Sequence, residues 1–272
     1  FIRQGQWKLE LEWLLKYGKV YGIYQSFRPI LTISDADLIK QVLVKDFSLF
    51  VNRQKNRVDH EIWSKNLFLS TDDQWKRIRA ITSPSFTSGK LRGMHSLMEQ
   101  AIHKLVHYLD GLIEKERGIL DVKKIIYGFT IDVIATTAFA TETNANGDRA
   151  EENSFVVNGK QLFNFPVLRM LSISVFPKWV NDLLGVDVPF NPNSFQFFID
   201  LSKHILNERK SSGKKRNDLV QMLLDARVDQ EQLDSKNFDN LNINEDLKTE
   251  INQEVSSSKP RIQLTESEII AN

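Results

Sequence analysis

The chain has 272 residues, 41% of them hydrophobic and 10% aromatic, which is enough apolar material for a sizeable folded core. A net charge of +1 creates no field strong enough to recruit nucleic acid, and the absence of cysteine excludes disulfides and thiol nucleophiles. No apolar run approaches the ~20 residues of a membrane-spanning helix, no signal-peptide pattern is visible, and no Asn-x-Ser/Thr sequon occurs.

Residues 7–17 carry apolar Trp7, Leu9, Leu11, Trp13, Leu14 and Leu15 and read as a helix closed by Gly18. β-Branched and aromatic residues on either side of a turn predict two short strands, 19–24 and 29–33. Ser34-Asp35 then caps a helix that runs to Lys45. Residues 46–70 read as a long loop with short helical pieces. Its Phe47, Phe50, Trp63, Leu67 and Phe68 are many large apolar side chains for a linker, and suit the wall of a ligand site.

A polar, acidic lead from Ser70 to Asp73 opens the next helix. Residues 89–116 and 121–140 read as long helices parted at Gly118, 151–163 and 194–210 as two more, and 217–227 as a short one. Between them, 163–190 is broken by prolines. It mixes Phe163, Phe165, Phe176, Trp179 and Phe190 with Arg169 and Lys178, a pattern that fits either core packing or contact with a membrane interface. From Val228 to Ile262 the chain turns polar, with Phe238 its single aromatic, and is expected to be disordered for want of apolar surface to bury. Thr265 and Glu268 form a capping box ahead of apolar Ile269 and Ile270, and the chain stops about one turn later. The fold class is mainly α with a small β-sheet.

In the helix after Asp73, Trp75, Ile78, Arg79 and Thr82 fall on one face, while Lys76 and Arg77 point elsewhere. An arginine on an inward face needs an anion, because a buried guanidinium without a partner is costly. Trp75 adds an indole N–H beside it. The pair suits a carboxylate or phosphate of a bound molecule; the alternative is a surface helix whose arginine reaches water. His103 and His107 share a helical face without a third ligand and read as solvated. The Gly-Lys pairs at 89–90 and 213–214 lack the glycine spacing of phosphate loops.

Trp75-Lys76-Arg77-Ile78-Arg79, continued by Ser83-Pro84-Ser85-Phe86-Thr87-Ser88-Gly89-Lys90-Leu91, resembles the C helix and following turn of the cytochrome P450 family. It is most similar to the subfamily three-A branch and its arthropod relatives. The segments Lys16–Gly22, Ile33–Lys45, Phe50–Arg53, Asp132–Phe139 and Asp218–Asp225 resemble further parts of that family, in family order.

The resemblance implies the N-terminal half of the family fold, about helices A to H and the start of helix I, with 1–272 as a single truncated domain. It implies a haem-thiolate monooxygenase at the cytosolic face of the endoplasmic reticulum membrane. Such an enzyme inserts one oxygen atom from dioxygen into a small apolar substrate, using electrons from an NADPH-dependent reductase. The cofactor would be haem b, with its cysteine iron ligand outside this chain, so that the chain itself should be inactive. By the same resemblance Trp75, Arg79 and Arg53 would bind the haem propionates. Lys76, Arg77 and Lys90 would face the acidic electron donor. Leu67, Phe68, Phe163 and Phe165 would line the substrate cavity, and Phe176 and Trp179 would make peripheral membrane contact. The alternatives are a helical hydrophobe-binding module and an interaction scaffold that keeps the fold without chemistry.

Overall fold

The computed structural model describes residues 6–25, 28–53, 60–115, 120–147, 152–162, 164, 166–213, 215–229 and 261–272. These divide into two compact units, parted after Arg53.

In the first unit, helix α1 (Gln6–Tyr17) ends where Gly18 takes φ 88° and returns its N–H to the Leu14 carbonyl at 3.0 Å, a conformation that costs a side-chain-bearing residue far more. Strands β1 (Val20–Gln25) and β2 (Arg28–Ile33) form an antiparallel hairpin with Val20 opposite Ile33. Tyr21 is buried and meets Trp13 edge-on at 6.2 Å, which fastens α1 to the hairpin. Asp35 accepts the N–H groups of Asp37 and Leu38 and so caps α2 (Ala36–Lys40). The single helix expected as far as Lys45 is wound in two ways: Gln41–Lys45, which contains β-branched Val42 and Val44, adopts a wider π turn.

In the second unit, 3-10 turns at Trp63–Lys65 and Ser83–Phe86 flank α3 (Asp72–Thr82). The helix expected over 89–116 is two, α4 (Ser88–Gly93) and α5 (His95–Lys115). The break follows Gly93, a poor helix former, and lets Met94 enter the core. Asp121 caps α6 (Val122–Phe139), and the segment beyond it is stapled back by the buried carboxylate of Asp132, which accepts the Thr143 hydroxyl and the Ala145 N–H. Gly128 makes room there, since a Cβ would press on the Asn146 side chain and come within 3.1 Å of the Ala145 carbonyl.

After α7 (Ser154–Leu162), the proline-broken stretch holds two helices, α8 (Val167–Val175) and α9 (Lys178–Leu183). Pro166 and Pro177 stand at their N-caps, so these prolines start helices instead of preventing them. Asn191 caps α10 (Pro192–Ser212) and Asp218 caps α11 (Leu219–Asp225). Strands β3 (Arg227–Asp229) and β4 (Arg261–Gln263) pair antiparallel and lead into α12 (Glu266–Ala271). They take up both ends of the polar segment expected to be disordered; 230–260 lie outside the described residues.

The core gathers around α10. Leu206 and Ile205 pack with Val220 of α11, while Ile131, Ala135, Phe155 and Val156 join α6 to α7. Inside this layer Arg209 meets Asp218 at 2.5 Å with both side chains almost fully buried, and Asp218 also accepts the Gln221 N–H. One carboxylate thus caps a helix and neutralises a guanidinium that could not stay buried alone.

Candidate functional site

Helix α3 is the centre of the site. Its deepest residues are Ile78, Ile81 and Thr82; the two isoleucines pack with Leu223 and Leu264. That face is fixed by the usual three-to-four spacing, and the basic residues lie on its flanks. On one flank Trp75 and Arg79, one turn apart, are both half-buried. The sequence placed them on the same face as Ile78; they lie along its edge, between core and solvent. Among the described residues the Arg79 guanidinium makes no hydrogen bond and no ion pair, although the Arg79 carbonyl accepts the hydroxyls of Thr82 and Ser83. A half-buried guanidinium of this kind fits a carboxylate delivered from outside the chain, with the charge-assisted geometry that Arg supplies best.

On the other flank Arg77 is turned inward. It donates to Glu268 of α12, whose side chain is only 3% exposed. Its charge is therefore matched within the fold, while Lys76 lies near Asp73 at 3.5 Å with 38% of its side chain exposed. Lys90 is exposed on α4. Arg53 is exposed at the end of the first unit.

The turn ahead of α3 is built by Asn66, which is buried. Its amide nitrogen donates to the Trp63 carbonyl at 2.8 Å and its Oδ1 accepts the Leu69 N–H at 2.8 Å. This alternation sends Leu67 against the Ile78–Ile81 cluster and leaves Phe68 63% exposed. Of the two, Phe68 is the side chain presented outward. Phe163 and Phe165 lie outside the described residues. Trp63 itself meets Phe190 edge-on at 4.6 Å, so the turn is also pinned to the segment before α10.

Helices α8 and α9 expose Leu168 (82%), Trp179 (69%) and Leu183 (80%), with Phe176 and Leu171 also exposed. Packing between helices, one of the two readings open from sequence, does not describe Trp179. Arg169 is folded back, donating to the Val188 carbonyl at 3.2 Å and the Gly185 carbonyl at 3.5 Å and lying 3.6 Å from Asp187. No helix among the described residues is long and apolar enough to cross a membrane. No described group of His, Asp and Glu side chains is arranged to hold a metal ion.

A family model described as Cytochrome P450 matches residues 7–251. Among curated proteins, the chain is 33% identical over 229 residues to Cytochrome P450 3A30 of Fundulus heteroclitus, a match covering 82% of this chain and 45% of that protein. It is 35% identical over 230 residues to Cytochrome P450 3A14 of Cavia porcellus, covering 82% and 45%. It is 34% identical over 251 residues to Cytochrome P450 3A41 of Mus musculus, covering 85% and 46%. The chain thus spans about half the length of the curated relatives it matches.

The Glu268 carboxyl yields a pH test. Burial pushes its pKa up, but the Thr265 N–H and the Arg77 guanidinium outweigh burial and hold it below the ordinary glutamate value. A depressed carboxyl contributes stability that is fully present above its unfolded value of about 4.3 and is lost as pH falls through the lower folded value. Glu268→Gln keeps an acceptor for the Thr265 N–H and removes the charge. The variant should be less stable than the parent at pH 7, with the difference shrinking below about pH 4. Urea unfolding of both proteins over that range measures it; a difference independent of pH would show that the carboxylate charge contributes nothing.

Proposed function

The chain belongs to the cytochrome P450 family, and from that premise we propose that it forms part of a haem-dependent monooxygenase in which Trp75 and Arg79 hold a haem propionate. The observation that carries this reading is the half-buried Arg79 guanidinium, with no partner among the described residues, one turn from the Trp75 indole. When bound, haem supplies the iron at which dioxygen, reduced with electrons from an NADPH-dependent reductase, yields one oxygen atom to a small apolar substrate. This chain's part is to position the porphyrin. The Arg79 guanidinium neutralises a propionate, the Trp75 indole lies one turn away on the same flank, and the Ile78–Ile81 face keeps both on a rigid helix. By resemblance alone, Arg53 is also assigned to a propionate. The chain contains no cysteine, so the iron thiolate is not among its residues and the chain alone is expected to be inactive.

Phe68, exposed beside α3, is the side chain we assign to the substrate wall; Leu67 supports it from the core side. By resemblance Phe163 and Phe165 would complete that wall. Lys76 and Lys90 supply the charge for steering an acidic electron donor. Arg77, matched by Glu268, is left out of that surface.

We assign the exposed apolar surface of α8 and α9 to peripheral contact with the cytosolic face of the endoplasmic reticulum membrane. Trp179, Phe176, Leu168 and Leu183 would enter the acyl boundary. Each such side chain contributes on the order of 1.5–3 kcal/mol when fully buried, so a few suffice for reversible binding.

Two measurements test these assignments. In a haemin titration followed by tryptophan fluorescence, Arg79→Ala should weaken binding by roughly 5- to 150-fold, the range of a lost charge-assisted hydrogen bond, with helix content unchanged. Equal affinity for an equally helical variant would make Arg79 an ordinary surface arginine. Replacing Trp179 and Leu183 with serine should reduce sedimentation with phospholipid vesicles while the melting temperature stays within a degree or two. A fall in melting temperature with vesicle binding intact would assign these side chains to packing.

A further inference from the structure

Helix α12 reaches two places at once. Glu268 and Asn272, one helical turn apart, share a face. Glu268 takes the Arg77 guanidinium of α3. Asn272 brackets the turn before α3: its Oδ1 accepts the Leu67 N–H at 2.6 Å, while its Nδ2 donates to the Glu268 carbonyl at 2.7 Å and lies 3.5 Å from the Lys65 carbonyl. A third tie, between the Lys65 ammonium and the Ser267 hydroxyl at 3.3 Å, joins the same two segments. Within the turn, Leu69 and Ser70 return their N–H groups to Asn66. The Leu67 N–H instead finds its acceptor 205 residues away in sequence.

We propose that α12 is a positioning clamp, in which the Arg77–Glu268 ion pair sets the helix so that Asn272 can hold the Leu67–Phe68 turn in register with α3. The capping box at Thr265 fixes where the helix begins: the Thr265 N–H reaches Glu268 Oε2 at 2.9 Å, and Arg77 is taken by the other oxygen, Oε1. The carboxylate is therefore held from two sides: the capping box fixes its position within α12, and rotation of α12 about its axis would pull it from Arg77. Asn272 lies one turn further along and inherits that orientation. The side chain presented by the clamped turn is Phe68, and the helix aligned with it carries Trp75 and Arg79. If those residues serve substrate and haem as proposed above, the clamp sets the distance between the two. The clamp itself requires only the contacts described, and it makes Arg77 and Glu268 positioning residues with no contact to either ligand.

The test is amide hydrogen exchange on the full chain, with haemin affinity measured alongside. Arg77→Gln touches neither Asn272 nor the turn, and leaves the capping box in place. It should accelerate exchange at Leu67 by roughly tenfold, while amides in α6 and α10 keep their protection. Glu268→Gln, a milder change, should have the same effect. Exchanging the two residues, with Arg77→Glu and Glu268→Arg together, should recover part of the protection at Leu67. Faster exchange confined to α3 and α12, with Leu67 unchanged, would overturn the clamp, as would no change in either segment. Haemin affinity separates this outcome from the haem reading. A clamp without haem binding appears as Leu67 acceleration in Arg77→Gln with Arg79→Ala neutral toward haemin; haem binding without a clamp gives the reverse.

Discussion

Everything in the second unit is arranged around what α3 does with its cations. The helix buries Ile78 and Ile81 in a core built with α11 and the paired strands β3 and β4, which sets its rotation and leaves an arginine on each flank. The two arginines meet opposite fates. Arg77 is neutralised by Glu268 from the far end of the chain, and Arg79 is half-buried with no partner of its own among the described residues. A buried guanidinium is tolerable only when an anion accompanies it, and a half-buried one gains from an anion on its inner side. The first case produces a structural tie, and the second is where we propose that a ligand brings the anion.

The same rule explains the other charged residues inside the fold. Arg209 and Asp218 are almost fully buried and adjacent, and Asp132 is shared between a hydroxyl and a backbone N–H. In each case the polar group also organises a helix end or a returning segment, so breaking it would disturb local structure as well as pairing. The surface pairs differ in kind. Lys215–Asp225 and Lys104–Glu142 are open to solvent and contribute little beyond local charge balance. On α8 the Arg169 charge is taken by the Val188 and Gly185 carbonyls and by Asp187.

Local signals carried far in this chain. The caps at Asp35, Asp121, Asp218 and Thr265, and the glycine stop at Gly18, all lie where residue type demanded them, because capping is satisfied within four residues. That Trp75 and Arg79 share a side of α3 follows from the helix repeat, whereas the haem role expected of them rests on the resemblance. What escaped the sequence is long-range. Nothing local says that Arg77 meets a carboxylate 191 residues later, or that Leu67 gives its N–H to Asn272. The helices at Val167–Val175 and Lys178–Leu183 escaped for another reason: prolines at N-cap positions look like breakers until the following residues are seen to wind. Leu67 and Phe68 looked alike as apolar loop residues, and only the turn built by Asn66 divides them into an inward and an outward side chain.

The account stands on a carboxylate meeting Arg79, and the most direct measurement compares haemin with its dimethyl ester, in which both propionates are neutral. If Trp75 and Arg79 grip a propionate, the parent chain should bind the ester more weakly by roughly 5- to 150-fold, and Arg79→Ala should bind the two porphyrins alike. Equal affinity of the parent for both would contradict the account, because the porphyrin would then be held without the charge that this helix is built to meet.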